Sequence, residues 1–178
     1  MRPPLEFFCA GNPAGQPRVK ATAFGGHARV YTPTTVKSSD GLRHEHPATS
    51  WKMIVRNEAQ KAWYSADGIH MSWVGPLRVD LTFFFPRPKS HFRSNGELKP
   101  NAPVWHTGKP DRDNSDKAVL DALTDLGIWG DDKQVCDGRI QKRYASAIGA
   151  PGCKIRISEV LEITSENGTK VTPKICET

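Results

Sequence analysis

The 178-residue chain has only four cysteines, Cys9, Cys136, Cys153 and Cys176, and no CxxC pair among them. That scatter excludes zinc ribbons and dithiol redox motifs and points to free thiols in a reducing compartment. Long apolar runs are missing as well. No stretch approaches the roughly 20 residues needed to cross a bilayer. The N-terminal MRPPLEFFCAGNPAG is too poor in consecutive apolar residues for a signal-peptide core. A cytoplasmic protein without a membrane partner is therefore expected. Acidic residues are in deficit: 19 Asp and Glu stand against 25 Lys and Arg, a formal charge of +6. This balance favours an anionic partner, nucleic acid foremost. The six histidines show no ligand spacing such as HExxH, and His44 and His46 read as part of a polar loop. There is no internal repeat and no linker between two cores, and the length suits one domain.

Fourteen prolines and fifteen glycines imply that much of the chain is turn or loop. Leu5–Ala10 is a short apolar run bounded by Pro and Gly, and it predicts a first strand. Residues 11–33, rich in Gly, Pro and basic side chains, read as a loop closing with a short strand around 29–31. Residues 39–47 read as loose polar chain. Thr49 or Ser50 can cap a helix with body 51–64, whose stripe of Trp51, Ile54, Val55 and Ala62 is interrupted by Glu58. Leu77, Val79, Leu81, Phe83 and Phe85 alternate on one face and predict a strand. Residues 86–110 have little pattern, and loops of that length are usually functional or mobile. A helix over 114–126 stops at Gly127. Segments 132–145 and 153–164 predict two strands joined by a turn at 149–152. The order β, β, α, β, long loop, α, β, β predicts a single α+β domain over 1–164, with a mixed sheet, two main helices packed on it, and a polar tail over 165–178.

The chemistry concentrates in KPDRDNSDKAVLDAL (109–123) and GIWGDDKQV (127–135). Val119, Ala122, Leu123 and Leu126 form the buried stripe of the helix. Asp113, Lys117 and Asp121 fall one turn apart on the opposite side, and Asp111 can point the same way as Asp113. Asp at a helix start complements the macrodipole and caps free N–H groups, and an i,i+4 ladder is an ordinary solvated face. The alternative is a metal site. Oxygen-only ligands select hard cations such as Mg²⁺ or Mn²⁺, and such an ion activates water and stabilises the leaving oxygen of a phosphodiester. Lys117 would then neutralise transition-state charge or position the attacking water. Asp131 and Asp132 follow the helix, whose far end lies about 20 Å from Asp111 at 1.5 Å per residue. Convergence of Asp132 on Asp111 needs the strand to run back along the helix, or a partner subunit. Spacing alone does not choose.

These two segments resemble the RusA family of Holliday-junction resolvases, many of them prophage-encoded. The family pattern is D-x-D-N-x-x-K-x-x-x-D-A-L followed by W-x-D-D-x-Q-V, and every fixed position is present. The N-terminal GNPAGQPRVK…ARVYTP resembles the Gly/Pro/Arg-rich start of the prophage branch, so the likeness covers roughly residues 5–163. It implies a RusA-like fold and a homodimeric, Mg²⁺-dependent endonuclease, with Mn²⁺ as a substitute ion. Its substrate would be branched DNA, cut at four-way junctions by paired symmetric nicks in a bacterial or phage-infected cell. By motif position, Asp111, Asp113 and Asp132 would be the metal-binding carboxylates and Lys117 the catalytic lysine. Asp121 would cap or form a salt bridge, and Asp131 would orient its neighbour. Residues 86–110, the stretch around 38–47 and the tail look like additions to the compact family form.

Candidate phosphate contacts are Arg18, Lys20, Arg29, Arg87, Lys89, Arg93, Lys109, Arg139, Lys142 and Arg143. Phe92 either packs on its own domain or acts as a wedge at the junction. Two other functions fit the same residues: a DNA-binding module without catalysis, and a metal phosphoesterase acting on small nucleotides.

Overall fold

Strict alternation of apolar and polar side chains makes Leu77–Phe85 a strand with one face in the core. In a computed structural model of the chain, residues 2–67, 71–160, 163–164 and 170–171 are described. The strands are β1 Leu5–Ala10, β2 Lys20–Phe24, β3 His27–Tyr31, β4 Thr35–Lys37, β5 Arg43–Glu45, β6 Leu77–Phe85, β7 Val135–Asp137, β8 Ile140–Tyr144, β9 Gly152–Glu159, β10 Ile163–Thr164 and β11 Lys170–Val171. The helices are α1 Pro47–Asp67 and α2 Arg112–Leu126. β6 is the centre of a five-stranded mixed sheet. It pairs antiparallel with β9, which pairs antiparallel with β1. On its other side it pairs in parallel with β7 and then β8. α1 packs on β1, α2 packs on β8, and the two helices pack on each other. Trp51, Phe83, Leu123, Trp129 and Ile155 are fully buried in the core they enclose. The expected α+β architecture is therefore the observed one.

The parallel pairing positions the acidic segments. Parallel neighbours need a crossover connection, and here it consists of residues 86–110, α2 and a 3₁₀ turn at Asp132–Gln134. α2 returns against the direction of the strands. Its start lies by the end of β8, where Lys142 Nζ donates to Pro110 O. Its end lies by the start of β6, where Gln134 Nε2 donates to Trp73 O and Gly75 O. Gly138 lets β7 and β8 share the same edge of β6. A Cβ there would sit 2.0 Å from Val79 O. Arg139 N instead donates to Asp80 Oδ1 and Leu81 N donates to Arg139 O, both at 2.8 Å.

Several local expectations are corrected. The loop over 11–33 holds a full hairpin, β2–β3, turning on Gly25 and Gly26 at positive φ. This Gly-Gly turn matches the right-handed twist of a two-residue hairpin. The supposedly loose stretch around 39–47 contributes β5 to a second hairpin with β4. α1 begins earlier than the apolar stripe does, with Pro47 at its first position and His46 Nδ1 accepting from Ala48 N. Segment 132–145 is not one strand but a 3₁₀ turn, β7 and β8. Residues 86–110 form an ordered strap along the β8 edge. Its Trp105 bridges to Arg143, Phe92 bridges to Leu98, and His106 N donates to Lys142 O. Phe92 is half-buried within this strap. Most of the expected polar tail over 165–178 lies outside the described residues, apart from β11, which pairs with β10 just before it.

Gly138→Ala must push the added methyl against a backbone carbonyl, so we expect a loss of about 2 kcal/mol or more in urea unfolding. A variant as stable as the parent would show that the edge tolerates a side chain there.

Candidate functional site

Asp111 is the N-cap residue of α2 by backbone position, extended at φ −64° and ψ 156°, yet its carboxylate caps nothing. The helix start is held by backbone and hydroxyl instead: Ser115 N and Ser115 Oγ both donate to Asp111 O. That leaves the Asp111 carboxylate for a cation, and Arg18 Nη2 donates to its Oδ2 at 2.9 Å. Asp113, in the first turn, is exposed and makes no hydrogen bond or ion pair among the described residues. Helix capping therefore does not account for either carboxylate.

One turn further along, Lys117 Nζ donates to Asp121 Oδ1 at 3.1 Å. From α1, Lys52 Nζ donates to Asp121 Oδ2 at 2.9 Å. Asp121 is thus clamped between two lysines, with its side chain 22% exposed. The hydrogen bond to Asp121 and its charge raise the Lys117 pKa, and the charges of Asp132 and Asp116 add to the effect. The expected salt-bridging role of Asp121 is what the geometry gives.

Past the helix, Asp131 caps the 3₁₀ turn. Its Oδ1 accepts from Lys133 N at 2.9 Å, and Gln134 returns the bond to the Asp131 backbone. The Lys133 N–H holds the Asp131 carboxyl below its ordinary range. Asp132 is exposed and shares a groove of about 310 Å³ with Lys52, Asp121, Asp125 and Asp131. The four predicted residues thus lie along one side of α2. Asp111 and Asp113 stand at its start, Lys117 is between, and Asp132 is beyond its end. Among the described residues, no three His, Cys, Asp or Glu side chains are gathered as a ready metal cage. Asp111 and Asp113 are neighbours at one helix end, while the crossover carries Asp132 to the other.

The candidate phosphate contacts divide into two groups. Lys20 and Arg29 are exposed on the β2–β3 hairpin, and Lys89, Lys109 and Arg139 are exposed elsewhere. Arg18 is exposed too, although paired with Asp111. Lys109 and Arg18 line a groove of about 680 Å³ with Asp111 and Asn114. Arg93 pairs with Glu97 at 3.5 Å, and Arg143 lies over the Trp105 ring at 5.3 Å. Arg87 and Lys142 instead work inside the protein. Arg87 donates to Ala145 O and Pro103 O, tying the strap to the end of β8. Lys142 donates to Gly108 O and Pro110 O, and burial lowers its pKa.

Sequence reasoning missed Lys52, which is 69 residues from its partner Asp121. It also missed Asp116, half-buried on α2 beside Leu120, Val79 and Gly138. Burial raises the Asp116 pKa against the opposing pull of Arg112 and Lys117. The charged form is disfavoured in the fold, so its cost is full at neutral pH. That cost fades as pH falls through the folded pKa and is gone below the unfolded value of 3.8. Asp116→Asn is thus expected to stabilise the protein in urea at pH 7, with the gain shrinking as the pH is lowered toward 4. A gain that is constant with pH, or a loss at pH 7, would refute this.

Residues 10–158 match the family described as Endodeoxyribonuclease RusA. The protein is also 36% identical over 88 residues to a Bacillus subtilis (strain 168) protein described as "Uncharacterized protein YqaN". That alignment covers 48% of this chain and 59% of the relative, so the chain spans less than two thirds of the curated protein it matches. The family match runs from the end of β1 to within β9 and takes in both helices, the crossover and every acidic residue described above. The chain belongs to the RusA endodeoxyribonuclease family.

Proposed function

We propose that the protein is a Mg²⁺-dependent endonuclease that resolves four-way DNA junctions by paired, symmetric nicks in a homodimer, in the cytoplasm of a bacterial or phage-infected cell. The observation that carries this reading is the state of Asp111 and Asp113: two carboxylates at one helix start, one already holding a cation and the other without a partner among the described residues. A DNA-binding module without catalysis would use Asp111 as a helix cap, and it does not.

The donor chemistry fits the ion. Mg²⁺ keeps several waters and is usually bound by one or two carboxylates plus substrate phosphates, so Asp111 and Asp113 suffice as its protein anchor. Mn²⁺ takes the same oxygen donors. The Arg18 guanidinium on Asp111 is a stand-in cation at that position. When bound, the ion would supply an activated water and neutralise charge at the leaving oxygen. Asp132 is the proposed third carboxylate, from beyond the helix. Lys117, held by Asp121, is the proposed catalytic cation, placed to meet charge developing on the phosphate.

Binding rests on counterion release by exposed cations. Arg18, Lys20, Arg29, Lys89, Arg93, Lys109 and Arg143 are the proposed phosphate contacts, with Arg87 fixing the strap that carries several of them. Contacts of this kind position a backbone without reading bases, which suits recognition by shape. Two-fold symmetry matches a substrate with two equivalent strands to cut. Phe8, 42% exposed and beside Phe84 on the sheet, is the proposed contact for a second copy.

Asp113→Asn is expected to cut a mobile four-way junction about 10²–10³-fold more slowly in Mg²⁺. Binding measured in EDTA should stay close to wild type, and linear duplex should remain uncut by both proteins. Robust junction cutting by both Asp111→Asn and Asp113→Asn would overturn the site assignment.

A further inference from the structure

α1 has a second face that its core packing leaves unused. Ala48, Trp51, Val55, Ala59 and Trp63 point inward. Thr49, Lys52, Met53, Arg56, Asn57 and Gln60 follow the same three- and four-residue rhythm on another side. These six line a groove of about 510 Å³ whose opposite wall is the segment 32–34 between the hairpins. An ordinary solvated helix face mixes acids with bases. Here the stripe has no acid, and among the described residues the only acid lining the groove is Asp125 from α2. Glu58, nearby on α1, is turned away and paired with Lys61. Arg56 therefore has Lys52 and Gln60 as its i−4 and i+4 neighbours, and its guanidinium has no partner among the described residues. Around it are amide and hydroxyl groups from Asn57, Thr32, Thr34 and Thr49. Such groups, with arginine, make up the usual donor set for phosphate oxygens.

The groove is continuous with the acidic side of α2 at both ends. Gln16, Pro17 and His46 line both it and the groove that holds Asp111. Lys52 and Asp125 line both it and the groove that holds Asp132. A chain of phosphates lying here would run between the grooves that hold Asp111 and Asp132.

We propose that the groove between α1 and residues 32–34 binds the sugar–phosphate backbone of the DNA strand adjoining the cleaved one, with Arg56 as its central phosphate contact. The inference rests on the junction-endonuclease reading and adds a site to it. Charge complementarity selects the occupant: a polyanion fits the Arg56 guanidinium set among hydroxyl and amide donors, and an apolar peptide does not.

The test is junction binding by the full-length protein in EDTA, measured by fluorescence anisotropy across a NaCl series. Arg56→Ala should weaken binding about fivefold to tenfold and lower the slope of log K against log [NaCl] by about 0.9, the share of one phosphate. Lys61→Ala, which removes the same charge from another side of α1, should change neither affinity nor slope. Gln60→Trp, which fills the groove without removing charge, should weaken binding as Arg56→Ala does. If wild type binds the junction and Arg56→Ala matches it in affinity and slope, the groove proposal fails while the endonuclease reading stands. If wild type binds no junction DNA, both fall.

Discussion

The parallel pairing of β6 with β7 and β8 is the constraint on which the site depends. Two parallel strands on one edge need a connection that crosses the sheet and returns, and in this chain α2 is that return. Its direction is fixed by the strands beneath it, so the residues before it and the residues after it stand at opposite ends of the sheet. Asp111 and Asp113 are delivered to one end, and Asp131 and Asp132 to the other. Gly138 keeps this arrangement closed by allowing the edge strand to touch Val79 O.

The ion pairs along α2 differ in how easily they yield. Arg18 and Asp111 are largely exposed, at 79% and 49% of their side-chain surface. A pair of that kind contributes at most about 1 kcal/mol, so a divalent cation competes for Asp111 at little cost. Lys52 and Asp121 are each only 22% exposed. Removing one partner of a shielded pair strands the other, so this contact holds while its neighbours exchange. Lys117 is more exposed than Lys52 and shares Asp121 with it. It can leave for a phosphate without leaving Asp121 unpaired. A firm pair at the helix middle and a loose one at the helix start give a site that is preformed where it positions and open where it binds.

Much of this was legible in the sequence, for physical reasons. The alternation in β6 and the three- and four-residue stripes of α1 and α2 come from burial on one side, and burial writes itself into apolar spacing. The Asp111–Asp113 pair was legible because both carboxylates fall at a helix start, one at the N-cap position and one in the first turn. The β2–β3 hairpin was harder to find. All five residues of β3 are exposed, so no alternation marks it. Its Gly25–Gly26 turn was the signal that went unread. The strap over 86–110 gains its order from distant partners, such as Arg87 on Ala145 O and Trp105 on Arg143. Lys52 meets Asp121 only because α1 and α2 pack together. The meeting of Asp132 with Asp111 was left open by spacing; in the fold Asp132 shares a groove with Asp121, and its charge reaches Lys117.

The central claim is that the start of α2 is a divalent-cation site. Crystals grown with Mn²⁺ and measured at a wavelength where manganese scatters anomalously address it without any assay of activity. The account predicts a peak bonded to carboxylate oxygens of Asp111 and Asp113, with the Arg18 guanidinium displaced from Asp111. A map with no peak there, and Arg18 still on Asp111 Oδ2 at saturating Mn²⁺, would contradict it.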